Sequence, residues 1–174
     1  MILSDREIRL EIDAGHIVFD PPIEPTQIGD ASVDIRLGPK LRVPQYDENI
    51  VIRPRARNRP ELYGQELTID AGGYNLTSQK FVLGSSLEKI KLPNYLVGRL
   101  EGKSGLARFG LLIHATSAHI DPGFQTVVIL ELCNLGPNTI VLEHGMPIGH
   151  VVFEKVSLPP SKAYGGQFAE QLGP

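Results

Sequence analysis

Two groups of residues in this chain have types and spacing suited to chemistry. The first is cationic. Lys103, Ser104 and Arg108 fall within "GKSGLARFG". Gly-Lys-Ser also ends a Walker A loop, but that loop needs four residues between its first glycine and the Gly-Lys pair. Here Gly98 and Gly102 enclose only Arg99, Leu100 and Glu101, and Val97 stands where glycine is required. The chain after Lys103 has room for a short helix before the apolar "LLI", not for the long helix a P-loop feeds. The spacing instead predicts a short helix opened by Ser104, with its free N–H groups facing an anion. Lys103 would flank that start, and the forked guanidinium of Arg108 would reach the same anion.

The second group is acidic. Glu131 sits in "VVILELC", an otherwise apolar run. Alternation puts Val127, Ile129, Glu131 and Cys133 on one face, and Val128, Leu130 and Leu132 on the other. A carboxylate there is costly to bury unless paired. Position alone leaves two readings open: a glutamate facing water or held in an ion pair, or a general base whose pKa is raised by partial desolvation. Asp121 lies in "HIDPGF", where Asp-Pro-Gly is a turn signal in its own right and a ligand-binding aspartate is the alternative. His16, His114, His119, His144 and His150 show no metal-ligand spacing with Cys133, and the His-x-Glu with Pro-Cys-x-x-Cys pattern of zinc deaminases is absent. No protein-held metal is expected. Cys133 reads as a strand-packing residue.

The elements that must position these residues are mostly strands. "SDREIRLEIDAGH" opens with a Ser4–Glu7 capping box and stops at Gly15, which predicts one helix. After it, "SVDIRLG", "ENIVIRP", "QELTIDAG", "KFVLGSS", "NYLVGRLE", "TVVILELCN", "NTIVLEHG" and "IGHVVFEKV" are runs of strand length bounded by turn residues. That pattern predicts a sandwich or barrel. The 174 residues read as one domain. A net charge of −3 argues against a nucleic-acid polymer as partner, because such a polymer needs a broad basic surface. "RPRARNRP", with Arg53, Arg55, Arg57 and Arg59, reads as a solvated loop or a ligand patch. No run is apolar enough to span a membrane, no signal peptide opens the chain, and the single cysteine fits a reducing cytoplasm.

The block "GRLEGKSGLARFGLLIHATSAHIDPGFQTVVILELCN", residues 98–134, resembles the dCTP deaminases of the trimeric dUTPase superfamily. The resemblance extends to "MILSDREI", "ASVDIRLG", "PIGHVVF" and "YGGQFAEQLG", and so covers nearly the whole chain. It implies an all-β fold, a distorted β-barrel or jelly-roll of the dUTPase-like type with a short N-terminal helix. It implies a single domain over residues 1–174 whose end, from about residue 159, forms a tail or lid. It also implies a homotrimer with active sites shared between subunits. Glu131 matches the family's proton-shuttling glutamate. Lys103, Ser104, Gly105, Leu106, Ala107 and Arg108 match the triphosphate-binding block, in which Ser104 and Arg108 also complete the reaction centre. Asp121 matches the nucleotide-contacting aspartate, Ile129 and Leu130 supply backbone groups to the base, and Tyr164 and Gln171 close over the phosphates with Mg²⁺. The chain departs from relatives at Lys103, where many have arginine, and at Gln167, where lysine is usual. It also stops at Pro174, earlier than most. Ser117, Ala118 and His119 match neither the deaminase-only pattern, Ala-His-Arg, nor the bifunctional one, Ala-Gly and an aromatic.

The activity implied is deamination of dCTP to dUTP with release of ammonia, in cytoplasmic pyrimidine deoxynucleotide biosynthesis. Mg²⁺ would be bound through the triphosphate, zinc would be absent, and dUTP or dTTP would act as product or feedback inhibitor. dUTP is the expected main product, because His150 stands where many bifunctional relatives place glutamine. The alternatives are a bifunctional deaminase and dUTPase giving dUMP and pyrophosphate, a dUTPase alone, and a nucleotide-binding regulator without turnover.

Overall fold

The chain opens as its first residues dictate. In the computed structural model, which describes residues 1–44, 51, 64–162, 164–165 and 173–174, the Ser4 N–H donates to the Glu7 carboxylate at 3.1 Å and α1 runs over Asp5–Asp13. Gly15 follows at φ +70°, a left-handed conformation that glycine adopts without strain. The strands are β1 (Val18–Asp20), β2 (Val33–Arg36), β3 (Lys40–Val43), β4 (Gln65–Thr68), β5 (Tyr74–Leu76), β6 (Phe81–Lys91) and β7 (Leu96–Gly102). A one-turn helix α2 (Ser104–Ala107) precedes β8 (Leu111–Leu112), β9 (His119–Ile120), β10 (Gln125–Asn134), β11 (Ile140–Leu142) and β12 (Pro147–Lys155). Arg53, Arg55, Arg57 and Arg59, all of "ENIVIRP" except Val51, and Gln167, Phe168 and Gln171 lie outside the described residues.

Three antiparallel sheets result. One has the order β4-β3-β6-β10-β8 with β1 added to β6, the second is β2-β12-β7-β9, and the third is the β11-β5 ribbon. A bridge from Leu37 to Ser86 ties the end of β2 to β6. The inward residues of both large sheets, among them Val33, Ile35, Val82, Ile90, Leu100, Leu130, Leu132, Val151 and Phe153, join one apolar cluster with Leu3 and Ile8. The all-β expectation holds, with the short N-terminal helix. Among the described residues the strands make a jelly-roll-like arrangement of sheets and no closed barrel.

Two features of this frame set the positions that matter. β6 and β10 pair from Gln125–Lys91 to Cys133–Phe81, with an irregularity between Val127 and Ile129. There the predicted alternation breaks, and Val127 and Val128 are both buried. Beyond it the alternation returns, with Ile129, Glu131 and Cys133 half-buried and Leu130 and Leu132 buried. The second feature is Glu88, fully buried on β6. Its carboxylate accepts from the Arg36 backbone N–H at 2.9 Å and from Arg36 Nε at 2.7 Å, so a charge withdrawn from water is paired and hydrogen-bonded. Gln27 Nε2 bridges the same carboxylate, at 3.3 Å, and the Asp34 carbonyl, at 2.9 Å. Strand β2 is thereby pinned to β6.

Candidate active site

Glu131 is held from two sides by the segment after β8. Its backbone N–H donates to the Ile113 carbonyl at 2.9 Å, and its Oε2 accepts the Ala115 N–H at 2.7 Å. A hydrogen bond of this kind fixes the carboxylate's direction. Between these two anchors lies His114, whose buried Nδ1 has no hydrogen-bond partner among the described residues. Sequence reasoning missed both Ala115 and His114. A backbone donor carries no side-chain signal, and a histidine's burial does not show in its neighbours' periodicity.

The short helix α2 lies where the spacing predicted it. Lys103 is the residue before α2, in extended conformation, and its carbonyl accepts from the Leu106 and Ala107 N–H groups at 3.0 and 2.9 Å. Ser104, Gly105, Ala107 and Arg108 are exposed and Leu106 is half-buried. Lys103 donates from Nζ to Asp34 Oδ2 on β2 at 2.5 Å, a partner the sequence reading did not name. Ile113, which accepts the Glu131 N–H, is buried beside the residue that leads into this turn: its Cγ1 is 3.8 Å from where a Cβ on Gly102 would sit, and its Cδ1 abuts the position of a Cβ on Gly149 of β12. α2 also packs against β8, and β8 pairs with β10 through Leu112 and Cys133, two residues beyond Glu131. His150 on β12 lies in register with Asp34 on one side and Glu101 on the other.

Asp121 stands elsewhere. His119 Nε2 and Asp121 Oδ1 are 3.3 Å apart, both side chains more than half exposed. The Tyr164 ring packs on Phe124 at 5.9 Å between centroids. Burial, and then the Asp121 charge, push the Tyr164 hydroxyl pKa up. The Phe124 N–H donates to the Asp121 carbonyl, which places this cluster at the Gln125 end of β10. Glu131 is six residues along that strand, about 20 Å at the strand rise of about 3.3 Å per residue. Lys103 is likewise at the far end of β7 from Gly98, which pairs with Ile120. One chain therefore brings Lys103, Asp34 and the Glu131 anchor to one end and holds Asp121 and Tyr164 at the other.

A model of the dCTP deaminase-like family matches residues 2–156. The chain belongs to the dCTP deaminase-like family. Three relatives carry the name "dCTP deaminase, dUMP-forming". The protein of Corynebacterium glutamicum (strain R) is 40% identical over 179 residues, covering 100% of this chain and 94% of that one. That of Clavibacter michiganensis subsp. michiganensis is 41% identical over 172 residues, covering 98% and 85%. That of Mycobacterium tuberculosis (strain ATCC 25177 / H37Ra) is 40% identical over 169 residues, covering 97% and 88%. Among solved structures, 2′-deoxycytidine 5′-triphosphate deaminase from Agrobacterium tumefaciens superposes with a TM-score of 0.68 at 20% identity, over 89% of this chain and 48% of that one. The chain thus spans about half the length of that protein, a likeness of fold. No described helix is long and apolar enough to cross a membrane.

Proposed function

We propose that the protein deaminates dCTP and carries the product through to dUMP and pyrophosphate. The observation that carries the first step is the Glu131 carboxylate, half-buried in an apolar strand and held through Oε2 by the Ala115 N–H. That contact leaves Oε1 to face a substrate. Water adds to C4 of cytosine, Glu131 takes its proton and returns one to the base, and ammonia leaves. A backbone carbonyl near Ser117, two residues after Ala115, anchors the water. Lys103, Ser104, Gly105, Leu106, Ala107 and Arg108 receive the triphosphate, and Ile129 and Leu130 present backbone groups to the base. Mg²⁺ arrives on the nucleotide; among the described residues no group of three or more His, Cys, Asp or Glu could hold a metal. Lys103 and Arg108, which flank α2, suit phosphate oxygens rather than a metal.

For the second step, Asp121 activates a water on dUTP, and Tyr164 with Gln171 closes over the phosphates. The separation of Asp121 from Glu131 within one chain supports a homotrimer in which a second copy brings its Asp121 end to the Glu131 end of the first. His150, where many bifunctional relatives place glutamine, argues for dUTP as the released product. The names of relatives about 40% identical over nearly the whole chain favour dUMP instead. Incubation with dCTP and Mg²⁺ followed by product analysis tests this. Ammonia with dUMP supports the reading, dUTP alone limits the enzyme to deamination, and an unchanged nucleotide rejects it.

A further inference from the structure

The cationic turn raises a question that its own residues do not answer: what holds the Lys103 ammonium in place. A lysine side chain has four rotatable bonds and no planar fork, so its charge is poorly placed unless something restrains it. Its backbone is fixed by the α2 turn. Its ammonium is fixed by Asp34, 2.5 Å away, and both side chains are about one-third exposed. Asp34 is itself well located. It sits on β2 opposite His150 of β12, and its carbonyl is held by Gln27. The next outward residue of β2, Arg36, is locked to the fully buried Glu88. A buried, paired carboxylate thus anchors β2 two residues from Asp34, and Asp34 in turn pairs with the lysine of the turn.

We infer that Asp34 is a positioning residue for triphosphate binding: it restrains Lys103 so that the remaining N–H groups of the ammonium point at phosphate oxygens. An ammonium has three donors, and Asp34 engages one, which leaves two for a ligand. This inference rests on the reading of Lys103 as a phosphate contact.

The test is a double-mutant cycle on the full chain, with titration calorimetry of inorganic triphosphate in Mg²⁺ as the readout. A partly exposed ion pair contributes up to about 1 kcal/mol, so Asp34→Asn should weaken triphosphate about three- to fivefold. It should do nothing further in a Lys103→Ala background, and Asp34→Glu, which keeps the charge one methylene further out, should recover part of the loss. An equal loss in both backgrounds would show that Asp34 acts without Lys103 and overturn the inference. So would unchanged binding, or tighter binding, which would make Asp34 a competitor of phosphate. If Lys103→Ala alone leaves triphosphate affinity unchanged, the phosphate reading of Lys103 fails first and this inference falls with it.

Discussion

Gly149 is where packing and chemistry meet, and replacing it with alanine tests the link. A Cβ there would lie 2.4 Å from Ile113 Cδ1 and 2.9 Å from the Glu101 carbonyl oxygen. The first neighbour is the end of a buried side chain with little room to turn, and the second is backbone in the β7–β12 ladder, where Gly149 pairs with Gly102. Overpacking of this kind costs about 1–3 kcal/mol. For a chain of this size each kcal/mol shifts Tm by about 2–4 °C, so a fall of roughly 2–12 °C is expected in calorimetry. The strain also has a direction. Ile113 accepts the Glu131 backbone N–H and lies two residues before Ala115, whose N–H holds the carboxylate, so displacing it disturbs both anchors of Glu131. Deamination by folded Gly149→Ala should therefore drop by more than the folded fraction does. Ile113→Val, which removes Cδ1, should restore part of both losses in the double variant. A Tm within 1 °C of the wild type, or about full activity at a lowered Tm, would refute the coupling between β12 and Glu131.

Other outcomes follow from single groups. Glu131→Gln should lower kcat for deamination by about 10²–10⁴-fold while triphosphate affinity stays near wild type, and retention of more than about a tenth of kcat would remove Glu131 from its role. Arg108→Lys should lose about 1.5–3 kcal/mol in kcat/KM, because the planar fork is lost though the charge is kept; unchanged kcat/KM would reduce Arg108 to diffuse positive charge. Burial, then the hydrogen bond and charge of Glu11, push the Tyr95 hydroxyl from 10.0 up to about 12. A raised pKa means that this stabilisation is present below pH 10 and is lost as pH rises through about 12. Melts across that window should fall more steeply for the wild type than for Tyr95→Phe, and parallel curves would contradict the assignment.

Where an element was legible in the sequence, a local rule was at work. The Ser4–Glu7 box, the stop at Gly15 and the turn opened by Ser104 each involve residues within a few positions of one another, and each is present. The alternation of Ile129, Glu131 and Cys133 against Leu130 and Leu132 was equally local. It failed at Val127 and Val128, because a strand irregularity depends on the pairing partner as much as on the strand. Of the five strands of two or three residues, β1, β5, β8 and β9 are too short to show a period, and only β11 falls within a predicted run, "NTIVLEHG". The partners that fix the site were hidden for a related reason. Asp34 and Lys103 are 69 positions apart and Arg36 and Glu88 are 52 apart, so only the sheet topology joins them. The separation of Asp121 from Glu131 likewise runs against their closeness in sequence, since a strand carries ten residues straight away from the turn that precedes it.

The central claim is most directly tested by a single-turnover time course with dCTP labelled at the 4-amino nitrogen and in the α- and β-phosphates, at near-neutral pH with Mg²⁺ and enzyme in excess. Deamination followed by hydrolysis at shared sites predicts dUMP and pyrophosphate appearing together with ammonia, without free dUTP accumulating. A stoichiometric build-up of dUTP that persists after dCTP is exhausted would contradict it.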